Sequence, residues 1–286
     1  GDGGILWPLV ESLLAAGFPP ESVTLLVSSG THRVLSDDEM WAFLDERARE
    51  AGVRVHCHNA ADPGSLTRVG CRKNGDEVFI DTVYVEADLR ILTGLVEPHL
   101  MAGVSGGRKS ICPGLVNVQS VREFHGPKTV AHPKATALVL EGNPCHEVAM
   151  EIAAMVRPDL ILNVTACKDG RVAGVFAGDM ELAHLAAVEQ MLEFVRMQVA
   201  ALKLGATVQA RLRFFGPPSA EGLDLHGMSL VVLVQLVDEP PEELRDVLGS
   251  ELAERLPFVD LRVGLAELGP LCGREVGHRP VPRLVN

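Results

Sequence analysis

Aromatic residues are scarce in this sequence, at 4% of 286 residues, so a hydrophobic core must be built mainly from Leu, Val, Ala and Ile. The six cysteines include no Cys-x-x-Cys pair, which argues against a disulfide framework or a zinc knuckle and predicts reduced thiols in a cytoplasmic protein. Basic residues are also in deficit. The formal net charge of −12 argues against a nucleic-acid partner, because such proteins present a basic face to the phosphate backbone.

Long apolar runs are missing as well. No run reaches the roughly 18 residues that a membrane-spanning helix requires, so we expect no membrane partner. Residues 1–4 lack the basic region of a signal peptide. A helix is predicted almost immediately after them, so the sequence starts abruptly, as if upstream residues were missing.

The first half of the chain alternates helices with apolar strands. Helices are predicted at residues 5–16 and 36–51, the second one opened by a capping box of Ser36 and Glu39, and strands at 23–27, 53–57, 78–85 and 89–95. Such an order predicts an α/β fold with a mainly parallel sheet covered by helices. Ligands of such sheets bind beyond the carboxyl ends of the strands.

The second half begins with a helix that Asn143-Pro144 opens and that runs to about residue 156. Strands follow at 160–164 and 172–176, and then a long helix from Asp179 to about residue 202. Further strands are predicted at 208–214, 230–237 and 258–263, with a helix at 241–256. We therefore expect a cofactor-binding catalytic α/β domain over residues 1–205. Residues 206–286 would form a shorter carboxyl-terminal region of α/β or α+β type.

Residues 97–114 contain four glycines and two prolines, which predicts a fixed, close-fitting loop instead of a regular element. Glycines can bring backbone N–H groups against a phosphate, and Arg108 and Lys109 add positive charge. The segment is nearly a Walker A loop. However, Arg108 stands where that loop needs glycine, and Pro113 would break the helix that should follow, which argues against a nucleoside triphosphatase. The alternative is a solvated surface loop.

Three histidines stand close to these features. His32 follows Gly30-Thr31 at the end of a predicted strand, where it is a candidate acid or base. His99 lies ten residues before Lys109. His125 ends a short helix that Gly126-Pro127 stops, and by itself it reads as a helix-terminus histidine.

Taken together, these motifs resemble the lactate racemase family. The resemblance is carried by the Gly-Thr-His-Arg loop, by Pro-His-x-x-Ala-Gly-x-Ser-Gly-Gly-Arg-Lys ending at Lys109, and by a histidine sixteen residues later. Asn163, Gly178-Asp179 and Ala183-His184 also fit the family's pattern, so the resemblance spans about residues 28 to 185. Two other family segments that bind substrate, one upstream and one near the carboxyl end, have no counterpart here.

The resemblance implies a racemase or epimerase that inverts carbon 2 of a small, lactate-like 2-hydroxy acid. By position, Lys109 would hold a nickel pincer nucleotide (nickel-pyridinium-3,5-bisthiocarboxylic acid mononucleotide) through a thioamide bond, and separate biosynthesis enzymes would supply it. His125 would be the nickel ligand, and His32 and His99 the two acid/base groups. The further candidate cofactor contacts are Thr31, Ser105, Gly106, Gly107 and Arg108.

The chemistry explains why such residues are needed. The proton on carbon 2 of a hydroxy acid is very weakly acidic, and a histidine of pKa about 6.5 is a poor base for it. Removing the hydroxyl proton while the carbon-bound hydrogen leaves as hydride is easier, provided that an electrophilic acceptor is present. The planar keto acid can be reduced from either face, so inversion needs one acid/base on each side.

Two other functions remain open at this point. One is a catalytically silent homologue that binds the cofactor or nucleotide but lacks the substrate-binding segments. The other is a zinc-dependent hydrolase built on His56 and His58, whose side chains share one face of a predicted strand end.

Overall fold

β-Branched and leucine-rich runs form the strands of this protein. The computed structural model describes residues 4–167, 170–203, 229–235 and 259–260. In chain order the strands are β1 (Val23–Ser28), β2 (Arg54–Cys57), β3 (Leu66–Cys71), β4 (Glu77–Asp81), β5 (Leu89–Leu95), β6 (Pro98–His99), β7 (Gly103–Val104), β8 (Leu160–Ala166), β9 (Val172–Gly178), β10 (Ser229–Val234) and β11 (Val259–Asp260).

The helices are mostly short and are capped by polar side chains at several starts. They are α1 (Leu6–Ala15), α2 (Asp37–Trp41), α3 (Glu46–Glu50), α4 (Thr82–Glu86), α5 (Val118–Phe124), α6 (Pro127–Val130), α7 (Pro144–Ala153) and α8 (Met180–Lys203). Three 3-10 turns lie at Pro20–Ser22, Pro63–Ser65 and Gly107–Ser110. Within the described residues, no helix combines the length and the apolar character needed to cross a membrane.

A seven-stranded sheet, in the order β11-β9-β8-β5-β10-β1-β2, forms the centre of the molecule. β1, β2, β5 and β8 run in one direction, while β9, β10 and β11 run in the other. The predicted α/β class is confirmed. The carboxyl ends of β1, β5 and β8 lie at the same edge of the sheet, so the loops that follow them can share one site.

Apolar side chains fill both sides of this sheet. On β1, Leu25 and Val27 belong to a core that also contains the buried leucines of α1, whereas Leu26 points to a second core with Phe124 and Ile152. The alternation follows from the period of two along a strand. Each fully buried aliphatic side chain contributes roughly 1.5–3 kcal/mol, so both helical layers are firmly attached to the sheet.

Two predicted elements are broken in the structure. The capping box of Ser36 and Glu39 is present, but the predicted helix 36–51 is divided, because the Asp45 carboxylate accepts from Arg47 N and starts α3 as a second helix. The predicted strand 78–85 ends at Asp81. The carboxylate of Asp81 accepts a hydrogen bond from Val83 N and thereby begins α4.

The carboxyl-terminal part of the chain contributes to the same sheet. The predicted strand 230–237 corresponds to β10, which lies between β1 and β5 and is antiparallel to both. The predicted strand 258–263 corresponds to β11, which pairs with β9. The predicted strand 208–214 and helix 241–256 lie outside the described residues, and the domain boundary at residue 205 stays a prediction.

Candidate functional site

The loop that carries His32 is fixed against the end of the glycine-rich segment. Ser28 Oγ donates to Ser110 O at 2.6 Å, and Gly30 N donates to Gly114 O at 2.9 Å. Gly30 has φ +58°, and a Cβ atom added there would lie 3.2 Å from Pro113 O. Glycine is therefore required for this close approach. The two loops form a single surface beyond the carboxyl ends of β1 and β5, with Thr31 and His32 exposed.

The glycine-rich segment is itself held by β8 and α8. Gly107 N donates to Asn163 Oδ1 at 3.0 Å. Gly106 and Gly107 have φ values of +76° and +54°, and added Cβ atoms would lie 2.8 Å from Asn163 Oδ1 and 3.0 Å from the His184 ring. Asn163 and His184 therefore define the backbone path that leads into the 3-10 turn containing Lys109.

His99 lies at the end of β6 in a small hairpin with β7. Its Nδ1 accepts from Ala102 N at 3.1 Å and from Met101 N at 3.4 Å. A neutral imidazole whose Nδ1 is an acceptor carries its hydrogen on Nε2. Burial lowers the pKa of His99 to about 3, and the positive charges of Lys109 and Arg108 act in the same direction. The uncharged ring therefore offers an N–H donor at Nε2.

Lys109 is a half-buried amine in a positively charged neighbourhood. Burial, and then the adjacent Arg108, lower its pKa to about 8, although Glu97 opposes this shift. His125 caps the carboxyl end of α5 and packs edge-on against Phe124, with ring centroids 4.9 Å apart. Burial is the largest cause that lowers the pKa of His125, and electrostatic interactions with Lys109 and His32 lower it further.

These electrostatic contacts define a cluster of His32, His99, Lys109 and His125, called here the histidine–lysine cluster. His125 interacts with both His32 and Lys109, and His99 interacts with both Lys109 and His125. The sequence analysis selected these four residues from different loops. The structure brings them together at one edge of the sheet, while their individual roles stay predictions.

Two of the other candidate residues direct their side chains into the protein. Arg108 is 1% exposed, and its Nη2 donates to Ala102 O at 2.9 Å and its Nη1 to Gly106 O at 3.3 Å. Ser105 Oγ donates to Leu95 O at 2.7 Å. Both side chains therefore stabilise the loop itself, and Gly107 N is engaged with Asn163. That they also contact a cofactor stays a prediction.

The sequence analysis overlooked two contributors to this site. Asn143 is fully buried, and its Nδ2 donates to Met101 O at 2.8 Å and to Val139 O at 2.9 Å, which ties the His99 hairpin to the start of α7. The Asn-Pro pair was recognised only as a helix start. Glu97 is an acidic group that interacts with Lys109, and its position two residues before His99 was the available signal.

The side chains of His56 and His58 make contacts outside the histidine–lysine cluster, although Ser29 Oγ in the His32 loop donates to His58 O at 3.0 Å. His58 is completely buried, with Nδ1 2.9 Å from Asp81 Oδ2 and Nε2 3.1 Å from Val116 O, so neither nitrogen is free to bind a metal. Burial alone would raise the pKa of Asp81, but its contacts with both histidines hold it at about 2. His56 lines a cavity with Thr24 and Arg54, near the amino ends of β1 and β2. In the described part of the chain, no three His, Cys, Asp or Glu side chains form a metal-binding group.

The described residues form an α/β domain with a constrained glycine loop and the histidine–lysine cluster beside it. Comparison with known proteins shows what this domain is similar to. Residues 2–137 match the family described as the lactate racemase N-terminal domain. The lactate racemase of Lactiplantibacillus plantarum is 32% identical over 180 residues, and that of Thermoanaerobacterium thermosaccharolyticum is 35% identical over 168 residues.

These alignments cover 63% and 59% of this chain but only 42% and 39% of the two relatives, so the chain spans about two fifths of their length. The lactate racemase apoprotein structure from T. thermosaccharolyticum matches with a TM-score of 0.55 and 34% identity over 58% of this chain and 40% of that one. A Thermotoga maritima protein, 22% identical with a TM-score of 0.50 over 60% and 46%, shares the fold. The resemblance is thereby confirmed: residues 2–137 match the lactate racemase N-terminal domain, and the similarity to the two lactate racemases extends over about three fifths of this chain.

Proposed function

We propose that this protein carries the cofactor-binding and acid/base machinery of a racemase or epimerase that inverts carbon 2 of a small, lactate-like 2-hydroxy acid. The observation that carries the proposal is the histidine–lysine cluster, in which His99 and His125 interact electrostatically with Lys109, and His125 also interacts with His32. The two relatives named lactate racemase support the same reaction and the same class of substrate.

The residues of the cluster suit a lysine-tethered nickel pincer nucleotide. An amine must be uncharged to form an amide-type bond, and a pKa of about 8 leaves a substantial uncharged fraction of Lys109 near neutral pH. A metal is bound by the neutral imidazole, which is the form that the lowered pKa of His125 favours. Lys109 would hold the nucleotide and His125 would supply the protein ligand to nickel.

When bound, such a cofactor supplies an electrophilic centre that takes up the carbon-2 hydrogen as hydride and returns it. The protein's own part is to move the hydroxyl proton and to orient the substrate. His32 and His99 come from loops at the ends of β1 and β5, so they can act from opposite faces of a substrate placed between them. The planar keto acid can then be reprotonated at oxygen by either imidazole.

The hydrogen bonds of His99 add a condition to this scheme. With Nδ1 accepting from Ala102 N and Met101 N, Nε2 carries the hydrogen and can donate to a substrate oxygen. To accept a proton at Nε2, the ring must exchange these backbone contacts for the other tautomer. We therefore expect the β6–β7 hairpin to change its hydrogen bonds to His99 when substrate binds. His32 is exposed and needs no such rearrangement.

The remaining parts of the proposal concern partners and location. A chain with a net charge of −12 is expected to act on a small molecule and not to bind nucleic acid. The absence of a Cys-x-x-Cys pair from the sequence fits a cytoplasmic protein. Cofactor-biosynthesis enzymes are expected partners, because the nucleotide must be made before Lys109 can receive it.

Chiral chromatography of lactate tests the proposed activity. Protein produced together with the cofactor-biosynthesis enzymes should convert either enantiomer into a mixture of both, and Lys109→Ala should abolish the conversion. Lys128→Ala is the matched control, because Lys128 is an exposed lysine close to His125 in sequence. This variant should interconvert the lactate enantiomers at the wild-type rate. Equal rates for wild type and Lys109→Ala would contradict the proposal.

The catalytically silent homologue is the second candidate function. It follows from the sequence analysis, in which the family's substrate-binding segment near the carboxyl end has no counterpart among these residues. This candidate predicts a nickel adduct on Lys109 without racemisation of lactate or other small 2-hydroxy acids. The same preparation, assayed for both properties, separates the two functions.

A further inference from the structure

A cavity of about 240 Å³ lies at the amino ends of β1 and β2, away from the histidine–lysine cluster. Its volume far exceeds the roughly 10–15 Å³ that one water molecule needs, but it is below the about 300–1,000 Å³ of pockets for drug-sized ligands. Thr24, which lines the cavity, precedes Ser28 at the other end of β1 by about 13 Å along the strand. The cavity, called here the amino-end cavity, is therefore a separate feature whose size suits a small metabolite.

The hydroxyl of Thr24 is a polar group without a protein partner. Thr24 is 7% exposed, and among the described residues no hydrogen bond involves its Oγ1 atom. Ser22 lines the same cavity, but its Oγ donates to Pro19 O at 2.7 Å. Hydroxyls of buried residues are normally hydrogen-bonded. The Thr24 hydroxyl is therefore available to a ligand in the cavity.

Arg54 and Gln235 add further donors to the amino-end cavity. Arg54 Nη2 donates to Gln235 Oε1 at 3.3 Å. Because this bond uses the carbonyl oxygen of Gln235, its amide N–H groups and the other guanidinium donors are left for a ligand. No Asp or Glu of the described residues lines the cavity, and the acids next to lining residues in sequence are Glu21, Glu86 and Asp88. The polar part of the cavity therefore favours a negatively charged group.

His56 is oriented by a buried carboxylate behind it. Its Nε2 atom is buried and lies 3.5 Å from Asp81 Oδ2, which is itself 2.9 Å from His58 Nδ1. The His56 side chain is 35% exposed, and its Nδ1 atom has no hydrogen-bond partner among the described residues. Because Nε2 is directed to Asp81, Nδ1 is the ring nitrogen that a ligand in the cavity can reach.

The rest of the wall is apolar. Val83 of α4, Ala87 just after that helix and Leu233 of β10 contribute hydrocarbon side chains to the cavity. Apolar surface is stabilised when another apolar group covers it and gains nothing from an inorganic ion. The cavity thus combines donors for an anion with a surface for a short hydrocarbon chain.

We propose that the amino-end cavity is a binding site for a small aliphatic carboxylic acid. Thr24, Arg54 and Gln235 would bind the carboxylate, with His56 Nδ1 at the same end. Val83, Ala87 and Leu233 would contact the hydrocarbon chain. The site lies outside the histidine–lysine cluster, so it does not depend on the proposed racemase function.

Butyrate is a suitable probe, titrated into the protein while the methyl resonances are followed by ¹³C NMR. The methyl resonances of Val83, Ala87 and Leu233 should shift and saturate at millimolar butyrate. Those of Val10 and Leu13, in the core on the other side of the sheet, should not shift. Butyramide has the same chain length but no charge, so it should bind about tenfold more weakly.

Two variants and one control identify the residues that bind butyrate. Thr24→Val replaces the hydroxyl by a methyl group of similar size and should weaken binding about tenfold, as expected for the loss of one hydrogen bond to a charged group. Arg54→Met should weaken it about fivefold, because the charge of an exposed arginine is screened by solvent. Arg49→Met is the control, since Arg49 is an exposed arginine of α3 that does not line the cavity, and it should bind like wild type.

Three results would overturn the proposal. They are methyl resonances of Val83, Ala87 and Leu233 that do not shift, Thr24→Val binding butyrate as tightly as wild type, and inorganic phosphate binding at these residues more tightly than butyrate. Butyrate that shifts only Ala102 and Val104 would belong to the candidate site and would also overturn it. Should Arg54→Met not fold, Thr24→Val and the comparison with butyramide still decide.

Discussion

Asn143→Ala tests how the fold holds the candidate site. Asn143 Oδ1 caps α7 by accepting from Cys145 N at 2.9 Å, while Nδ2 donates to Met101 O and Val139 O. Loss of the cap costs about 1 kcal/mol, within a range of roughly 0.5–2. Each part-buried carbonyl left without its donor costs about 1 kcal/mol. The free energy of unfolding should therefore fall by about 3 kcal/mol in total.

Urea unfolding of the variant measures this change through the midpoint at constant slope. Asn117→Ala is the matched control, because Asn117 also caps a helix, accepting from Ser120 N at the start of α5, and has no comparable reach to the hairpin. Asn117→Ala should lower the free energy of unfolding by about 1 kcal/mol. Asn143→Asp keeps the acceptor and loses the donor, so it should fall between the two. If Asn143→Ala costs no more than Asn117→Ala, the hydrogen bonds to the His99 hairpin do not stabilise it and the reasoning is wrong.

The remaining predictions concern the histidine–lysine cluster and the buried carboxylate of Asp81. Replacing His32 or His99 by Ala should lower the racemisation rate by about 10²–10⁴-fold, and a single variant with the wild-type rate would refute the two-histidine scheme. His125→Ala should lower nickel content, measured by elemental analysis, without changing the circular dichroism spectrum; unchanged nickel would assign the metal to another ligand. Asp81 has a folded-state pKa of about 2, below its ordinary value, so it stabilises the fold above about pH 4. The advantage of wild type over Asp81→Asn in urea unfolding should therefore be lost as the pH falls from about 4 to about 2, and a pH-independent difference would contradict this.

Local signals in the sequence predicted much of the fold. The capping box of Ser36 and Glu39 and the start of α7 at Asn143-Pro144 were identified, because a cap is decided by residues three or four positions apart. The insertion of β10 between β1 and β5 could not be predicted in this way. Its partners lie more than 130 residues away, so their choice depends on the packing of the whole sheet.

For the candidate site, the sequence allowed residues to be selected but did not predict the contacts between them. His32, His99, Lys109 and His125 were selected from strand ends and from a family resemblance, and the structure places them in one cluster. The inward path of Arg108 was not foreseen, since an arginine in a glycine-rich loop looks solvated in a sequence. Its burial results from the neighbouring hairpin and from α8, which only the folded chain brings together.

The central claim is that Lys109 holds a nickel-containing nucleotide. The most direct measurement is intact-mass analysis followed by peptide mapping of protein produced together with the cofactor-biosynthesis enzymes, with nickel and protein quantified in the same sample. The account predicts an added mass that maps to the peptide containing Lys109, about one nickel per adduct, and neither in Lys109→Ala. An adduct that persists in Lys109→Ala, or fully modified Lys109 in a sample without nickel, would contradict it.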